Sequence, residues 1–373
     1  MICARLTVTL NSGVTFLLLL NSYINSMKLI LTILNCCFYM LSALAQDISS
    51  PSELLEILEK STNNYELNRL DVAIEFDNSL VLNSNTFYRQ KKGDGFIAVE
   101  VELGKEAKVI KEEAEELFQS KEYEQARLLY DKLLQMHPEY TKLLVYIGQT
   151  YHLEGEVQKA IPFYTKAIGQ NFIDYMGHWF LGRAMWDIGK TDDCLASYMV
   201  AHLLNRNHPL LKQELIKVLA INGLEYNDWR FVPQIELKQQ DSTNMSVAYA
   251  SGWEGYAIAK AVWAFEPSHS EKMGQVFGVP SMVQEKEALI AFYLTYEVGN
   301  KKLSKAPFVK AFNYAVEHKQ VDAFILYEIF LVEEPALAYQ LSVDNFMYLS
   351  EYVIDNHCTV IKGKKKRKKK KGN

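Results

Sequence analysis

The amino-acid sequence predicts an all-α fold. Residues 107–208 read as a solenoid of helical hairpins and 209–361 as a divergent helical domain, with a short β-hairpin expected before the repeats. Three observations carry this. Small and ring-bearing side chains return at a constant interval of 34 residues across 107–208, the period of a stacked helix–turn–helix unit. From residue 251 onward apolar positions keep helical spacing, punctuated by Pro267, Pro280, Gly299 and Pro335. Finally, 49% hydrophobic and 23% charged residues is the make-up of a chain that forms a core.

The repeat divides as 107–140, 141–174 and 175–208. Ala126, Ala160 and Cys194 form one column, followed four residues on by Tyr130, Tyr164 and Tyr198, and three further by Leu133, Ala167 and Ala201. Upstream stand Ala114, Gly148 and Gly182, then Lys121, Gly155 and Gly189. A small residue in the first helix lets the second approach closely. Gly155 and Gly189 close that first helix with a residue tolerant of positive φ. The small residue and the aromatic share one face of the second helix, where the ring fills the space between hairpins. Each hairpin leaves a face uncovered, so the copies stack.

These columns resemble the tetratricopeptide repeat over 107–208. The sequence departs from that pattern at Cys194 (usually Ala), at Lys121 (usually Gly), and in the missing terminal proline of repeats two and three. The resemblance implies a ligand groove lined by the first helix of each hairpin. The matching positions are Lys108, Lys111, Glu115 and Phe118, then Lys142, Val145, Gln149 and His152, then Met176, Trp179, Arg183 and Trp186. The family's clamp for a peptide's terminal carboxylate is not reproduced: Lys111 fits, but Glu115, Tyr146, Met176 and Phe180 occupy the other positions. What remains is a stripe, Trp179, Arg183 and Trp186, on one helical face. It is either a binding surface, since Trp and Arg dominate hot spots, or a packing surface for a later helix. The candidate groove is therefore Lys111, Glu115, Val145, Gln149, His152, Trp179, Arg183 and Trp186.

Upstream, residues 1–45 have the form of an export signal. Met27-Lys28 starts a short positive region, Leu29 to Leu44 is apolar, and Ser42-Ala43-Leu44-Ala45-Gln46 predicts cleavage after Ala45. A second apolar stretch, 14–20, precedes Met27. It is read either as an overlong start, with Met27 the true first residue, or as part of an anchor; neither stretch reaches the length of a membrane span. Removal of the leader leaves Cys194 and Cys358, which is no disulfide framework. Core packing is expected for Cys194.

Between leader and repeats, 46–106, a helix over 52–58 is expected with Ser49 or Ser50 as its cap. Alternating 71–76 and 96–101 predict two strands joined through Gly93-Asp94-Gly95. After the repeats, 210–221 is expected to cap the array, and 223–250 to be an irregular linker. Within it Asp241-Ser242-Thr243 resembles the O-glycosylation acceptor of secreted Bacteroidetes proteins, with a plain polar turn the preferred reading. Helices are expected at 253–265, 283–298, 307–318, 321–332 and 343–356.

The net charge of −5 conceals an asymmetry. Residues 362–371 carry nine basic side chains and no acid, while 46–361 has a balance of −16. An acidic body argues against nucleic acid on the folded surface. The tail, 362–373, is expected to be disordered and reads either as an anchor to an anionic envelope surface or as a solvated end. No HExxH, CxxC, GxSxG, phosphate loop or GxGxxG occurs, so no metal, cofactor or catalytic residue is assigned. The sequence thus predicts an exported, non-enzymatic adaptor of the periplasm or cell envelope with a protein or peptide ligand. The alternatives are glycan capture, since some Bacteroidetes outer-membrane sugar binders use the same repeats, and an unfamiliar enzyme in 223–357.

Overall fold

The computed structural model describes residues 48–76, 81–82, 87–93 and 95–361. The expected leader and basic tail lie outside them. The chain builds two compact units, each discontinuous: one draws on 48–76 and 231–313, the other on 81–230 and 314–361.

The first unit begins with α1 (Pro51–Lys60). The Ser50 hydroxyl accepts from the Glu53 backbone N–H while the Glu53 carboxylate accepts from that of Ser50, a reciprocal cap that holds two otherwise orphaned donors. Leu54, Leu55 and Leu58 are buried on one face. The next strand is β1 (Asn64–Arg69), upstream of the one expected. Residues 71–76 form no strand, and Val72 is 76% exposed. Alternation alone does not make a strand without a partner row, and the row expected for 71–76, at 96–101, is taken by 87–92.

In the second unit, β2 (Phe87–Lys92) and β3 (Gly95–Glu100) form the expected hairpin, with 87–92 in place of 71–76 as its first strand. Lys92 pairs with Gly95 across a two-residue turn in which Gly93 takes φ +60°, as such turns require. Three helical hairpins follow: α2 (Lys105–Gln119) with α3 (Tyr123–Met136), α4 (Lys142–Leu153) with α5 (Val157–Gln170), and α6 (Tyr175–Asp187) with α7 (Thr191–Leu204).

Each repeat column has a contact behind it. Ala126, Ala160 and Cys194 are fully buried, and burial pushes the Cys194 thiol up to about 11. A Cβ on Gly148 would stand 2.5 Å from the Tyr164 ring, and one on Gly182 would stand 2.8 Å from Tyr198. In the turn column, Gly155 and Gly189 take φ +81° and +75°, and Lys121 adopts the same left-handed backbone at +64°. A further 34-residue column emerges at the ends of the second helices. The amides of Asn171 and Asn205 donate to the carbonyls of Phe87 and Leu82, tying the segment before the repeats to the array. The expected capping helix is α8 (Pro209–Ile221), which starts on a His208 side-chain cap and packs on α7; β4 (Leu224–Tyr226) follows.

The first unit resumes with β5 (Ile235–Gln239) and β6 (Asn244–Tyr249). The irregular linker expected over 223–250 is therefore incorrect, since three strands lie within it. Strand β6 is central, antiparallel to β5 and parallel to β1, with Asn64 opposite Asn244 and Arg69 opposite Tyr249. Met245, Val247 and Tyr249 alternate inward. Asp241-Ser242-Thr243 forms the exposed turn, its carboxylate accepting from the backbone of Thr243 and Asn244. Helices α9 (Glu254–Phe265), α10 (Pro267–Lys272), α11 (Met282–Gly299) and α12 (Pro307–Glu317) complete the sequence to the boundary. Fully buried Glu287 accepts from the Ser49 backbone N–H (2.6 Å), Trp263 Nε1 (2.6 Å) and His269 Nε2 (2.8 Å). Three donors satisfy one buried carboxylate, as burial of charge demands.

The second unit closes with α13 (Val321–Ile325), which continues through a π turn, Leu326–Phe330, to Leu331–Glu333; α14 (Val343–His357) and β7 (Cys358–Val360) follow. Strand β7 pairs antiparallel with β4. Among the described residues the architecture is mostly helical, with consecutive hairpins and three small sheets. The helical segment expected as one domain over 209–361 is instead shared between the units.

Candidate functional site

The first helices of the hairpins, α2, α4 and α6, carry all eight candidate residues, and the structure sorts them into three groups. Lys111 and Glu115, one turn apart on α2, pair with each other at 2.6 Å. They line no part of the cavity described below. Two residues are corrected. Val145 is fully buried in the core around Tyr164 and Ala167: it sits on the face of α4 that meets its neighbours. Trp179 is half-buried, donating its indole N–H to Glu214 Oε2 of α8 at 2.7 Å, with Tyr175, Phe180 and His208 around the ring. Tyr198 donates to the same carboxylate oxygen at 2.8 Å. Trp179 therefore packs the end of the array, which is the packing alternative for that stripe.

The remaining four stay accessible in part. Gln149, His152 and Arg183 converge on a cavity of about 210 Å³, completed by Leu153, Tyr164, Phe180 and Asp187. His152 shares its Nε2 with Asp187 Oδ2 at 2.6 Å and lies 3.4 Å through Nδ1 from the Tyr164 hydroxyl. The bond from α4 to the end of α6 fixes the imidazole at the cavity wall. The Arg183 guanidinium stands 6.0 Å from the centre of the Phe180 ring and is open to solvent. One turn along the same helix, Trp186 is 40% exposed. The site thus offers a cation, a carboxylate tied to an imidazole, an apolar floor and an adjacent open indole.

Sequence reasoning missed Leu153, Tyr164 and Asp187 as lining residues, and met Phe180 only as a departure from the carboxylate clamp. Tyr164 belongs to the second helix, and its ring reaches the cavity only because Gly148 lets it pass against α4. Asp187 ends α6, where its pairing with His152, 35 residues away, leaves no local mark. Among the described residues no group of three or more His, Cys, Asp and Glu side chains is placed to hold a metal.

No family model and no curated protein sequence matches this chain. About a third of it is similar in structure to solved tetratricopeptide domains. The first such domain of Spaghetti (RPAP3), bound to the HSP90 peptide SRMEEVD, is 21% identical, covering 31% of this chain and 92% of that one at a TM-score of 0.30. The Yersinia enterocolitica type III secretion chaperone SycD, in complex with a peptide of the translocator YopD, is 16% identical. It covers 32% and 91% at 0.29. The Sgt2 domain of Aspergillus fumigatus is 21% identical, covering 32% and 80% at 0.30.

Proposed function

We propose that this protein is a non-catalytic, exported scaffold that holds an extended peptide against the first helices of its repeats. One observation carries the reading: Arg183 and Trp186 stand open beside a cavity walled by His152, Asp187 and Phe180. Exposed Trp and Arg beside a preformed pocket are what a binding hot spot requires. A side chain of the ligand enters the cavity, where Arg183 meets an acidic or carbonyl group and Phe180 an apolar stem. Trp186 covers the neighbouring residue. The glycan alternative rested on both tryptophans being open, and Trp179 is engaged by Glu214. Export to the periplasm or cell envelope is proposed on the leader at 27–45 alone.

The test is capture from envelope extract on immobilised full-length protein, compared with Arg183→Ala/Trp186→Ala. Partners held by the groove should fall about tenfold or more, the loss of one or two hot-spot contacts. An unchanged partner profile would overturn the proposal. For export, sequencing of the mature N-terminus should begin at Gln46; an uncleaved cytoplasmic chain would remove that part of the reading.

A further inference from the structure

A second cavity, of about 250 Å³, lies away from the repeat groove, where the end of α7, the start of α8, β4 and the π turn converge. Its walls are cationic. Arg206 comes from the α7–α8 connection, Lys212 from α8 and Arg230 from the segment after β4; against these three the lining holds one carboxylate, Asp228, which Lys212 meets at 2.6 Å.

The polar groups on this wall are held in place and incompletely used. Arg206 is 8% exposed and His202 is 1% exposed. One end of the Arg206 guanidinium meets Glu328 Oε2 at 3.2 Å, and its plane lies 4.1 Å from the Tyr327 ring centre. Glu328 is already supplied by the Tyr352 hydroxyl (3.0 Å) and His357 Nε2 (2.7 Å). His202 Nε2 lies 2.9 Å from the Tyr327 hydroxyl. That leaves Arg206 Nε and His202 Nδ1 buried without a partner. Buried polar atoms without partners are rare, and each calls for a specific explanation such as an unseen ion. The two residues that carry these atoms both line the one cavity, and Arg206 Nε is a donor in every protonation state. The wall also includes Tyr327 from a π turn, a distortion that recurs at functional sites.

We propose that this cavity binds a small ligand bearing an oxyanion, either a carboxylate or a phosphate group. Its oxygens accept from Arg206 Nε and from His202 in the Nδ1–H tautomer, and Lys212 turns part of its charge from Asp228 to the ligand. Such charge-assisted hydrogen bonds are the strong class. The excess of cations over carboxylates on the wall and the two unfilled nitrogens favour an anion over a cationic or wholly apolar occupant. The inference is independent of the peptide groove, since the two sites share no residue.

The test is calorimetric titration of the full chain with inorganic phosphate and, separately, with succinate, at constant ionic strength set by chloride. One-site binding tighter than about 1 mM is expected for at least one of them, and the difference between the two arms identifies the headgroup. Lys212→Met should weaken it about tenfold or more, the loss of one hydrogen bond to a charged group. Asp228→Asn, which removes the only lining carboxylate, should tighten it. Arg206→Ala leaves Glu328 buried beside an empty position and risks the fold, so the argument rests on the other two variants, each checked for native circular dichroism. Absence of saturable binding in both arms, affinity unmoved by both variants, or weaker binding in Asp228→Asn would each overturn the proposal.

Discussion

Replacing Gly148 by alanine adds one methyl group at the closest approach of α4 and α5. On an exposed helix that change is favourable by about 1 kcal/mol, because glycine gives up the most backbone entropy. Here the new Cβ would lie 2.5, 2.8 and 3.0 Å from three atoms of the Tyr164 ring. The ring is held in place, although one edge borders the cavity beside His152: it is fully buried, stacked 6.0 Å from Phe180 and linked through its hydroxyl to His152. Forcing an extra carbon into a packed site costs roughly 1–3 kcal/mol, and an unyielding ring puts the value at the upper end. Net destabilisation of about 1–2 kcal/mol follows. The control is Gly169, also helical, whose added Cβ would meet nothing within 4 Å; Gly169→Ala should be neutral or stabilising. Urea unfolding followed by circular dichroism measures both, and Gly148→Ala/Tyr164→Leu should show favourable coupling between the two sites. If Gly148→Ala raised the midpoint as Gly169→Ala does, the account of why this column is small would be wrong.

Three further outcomes are expected. Lys121 holds the left-handed backbone that glycine occupies in the next two repeats, so Lys121→Gly should stabilise by roughly 0.5–1 kcal/mol, read as a higher urea midpoint at unchanged slope. Burial lowers His178 from its ordinary value to about 4, although its Nε2 is hydrogen-bonded to the Phe172 carbonyl. The unfolded chain binds that proton first as pH falls below about 6.5. Its contribution is therefore whole above that pH and shrinks toward pH 4 by about 1.4 kcal/mol per unit. His178→Gln should remove about one proton from the pH dependence of urea unfolding between pH 6.5 and 4.5, and an identical dependence would count against it. Glu287→Ala strands the Ser49, Trp263 and His269 donors, so a loss of about 3–5 kcal/mol is expected. Hydrogen exchange should quicken in α1, and unchanged protection there would refute the role given to that carboxylate.

The repeats were legible in the sequence because every column answers to a contact inside one or two hairpins: a ring needs a small residue opposite, a tight turn needs positive φ. The sheets were not, because their requirements are distant. Asn64 and Asn244 are paired across 180 positions, and the inward alternation of Met245, Val247 and Tyr249 sits behind the polar run that marks its turn. For the same reason 71–76 looked more strand-like than the charged 87–92, although only the latter meets β3. The groove was half legible. Helical spacing placed Trp179, Arg183 and Trp186 on one face, but Glu214, 35 residues on, decides which indole is engaged. Val145 is drawn inward by α5, a constraint that a single-helix pattern does not express.

The interleaving of the two units sets a timetable for synthesis. Among the described elements helix α1 and strand β1 leave the ribosome first, yet the strand that β1 pairs with follows 180 residues later. At 5–20 residues per second that interval is on the order of 10–40 s. Throughout it Leu54, Leu55 and Leu58 have none of their final neighbours from 231–313, while the hairpins between are already able to stack. Helix α1 therefore presents its apolar face for as long as the repeats take to emerge, and the second unit closes later still, when β7 reaches β4.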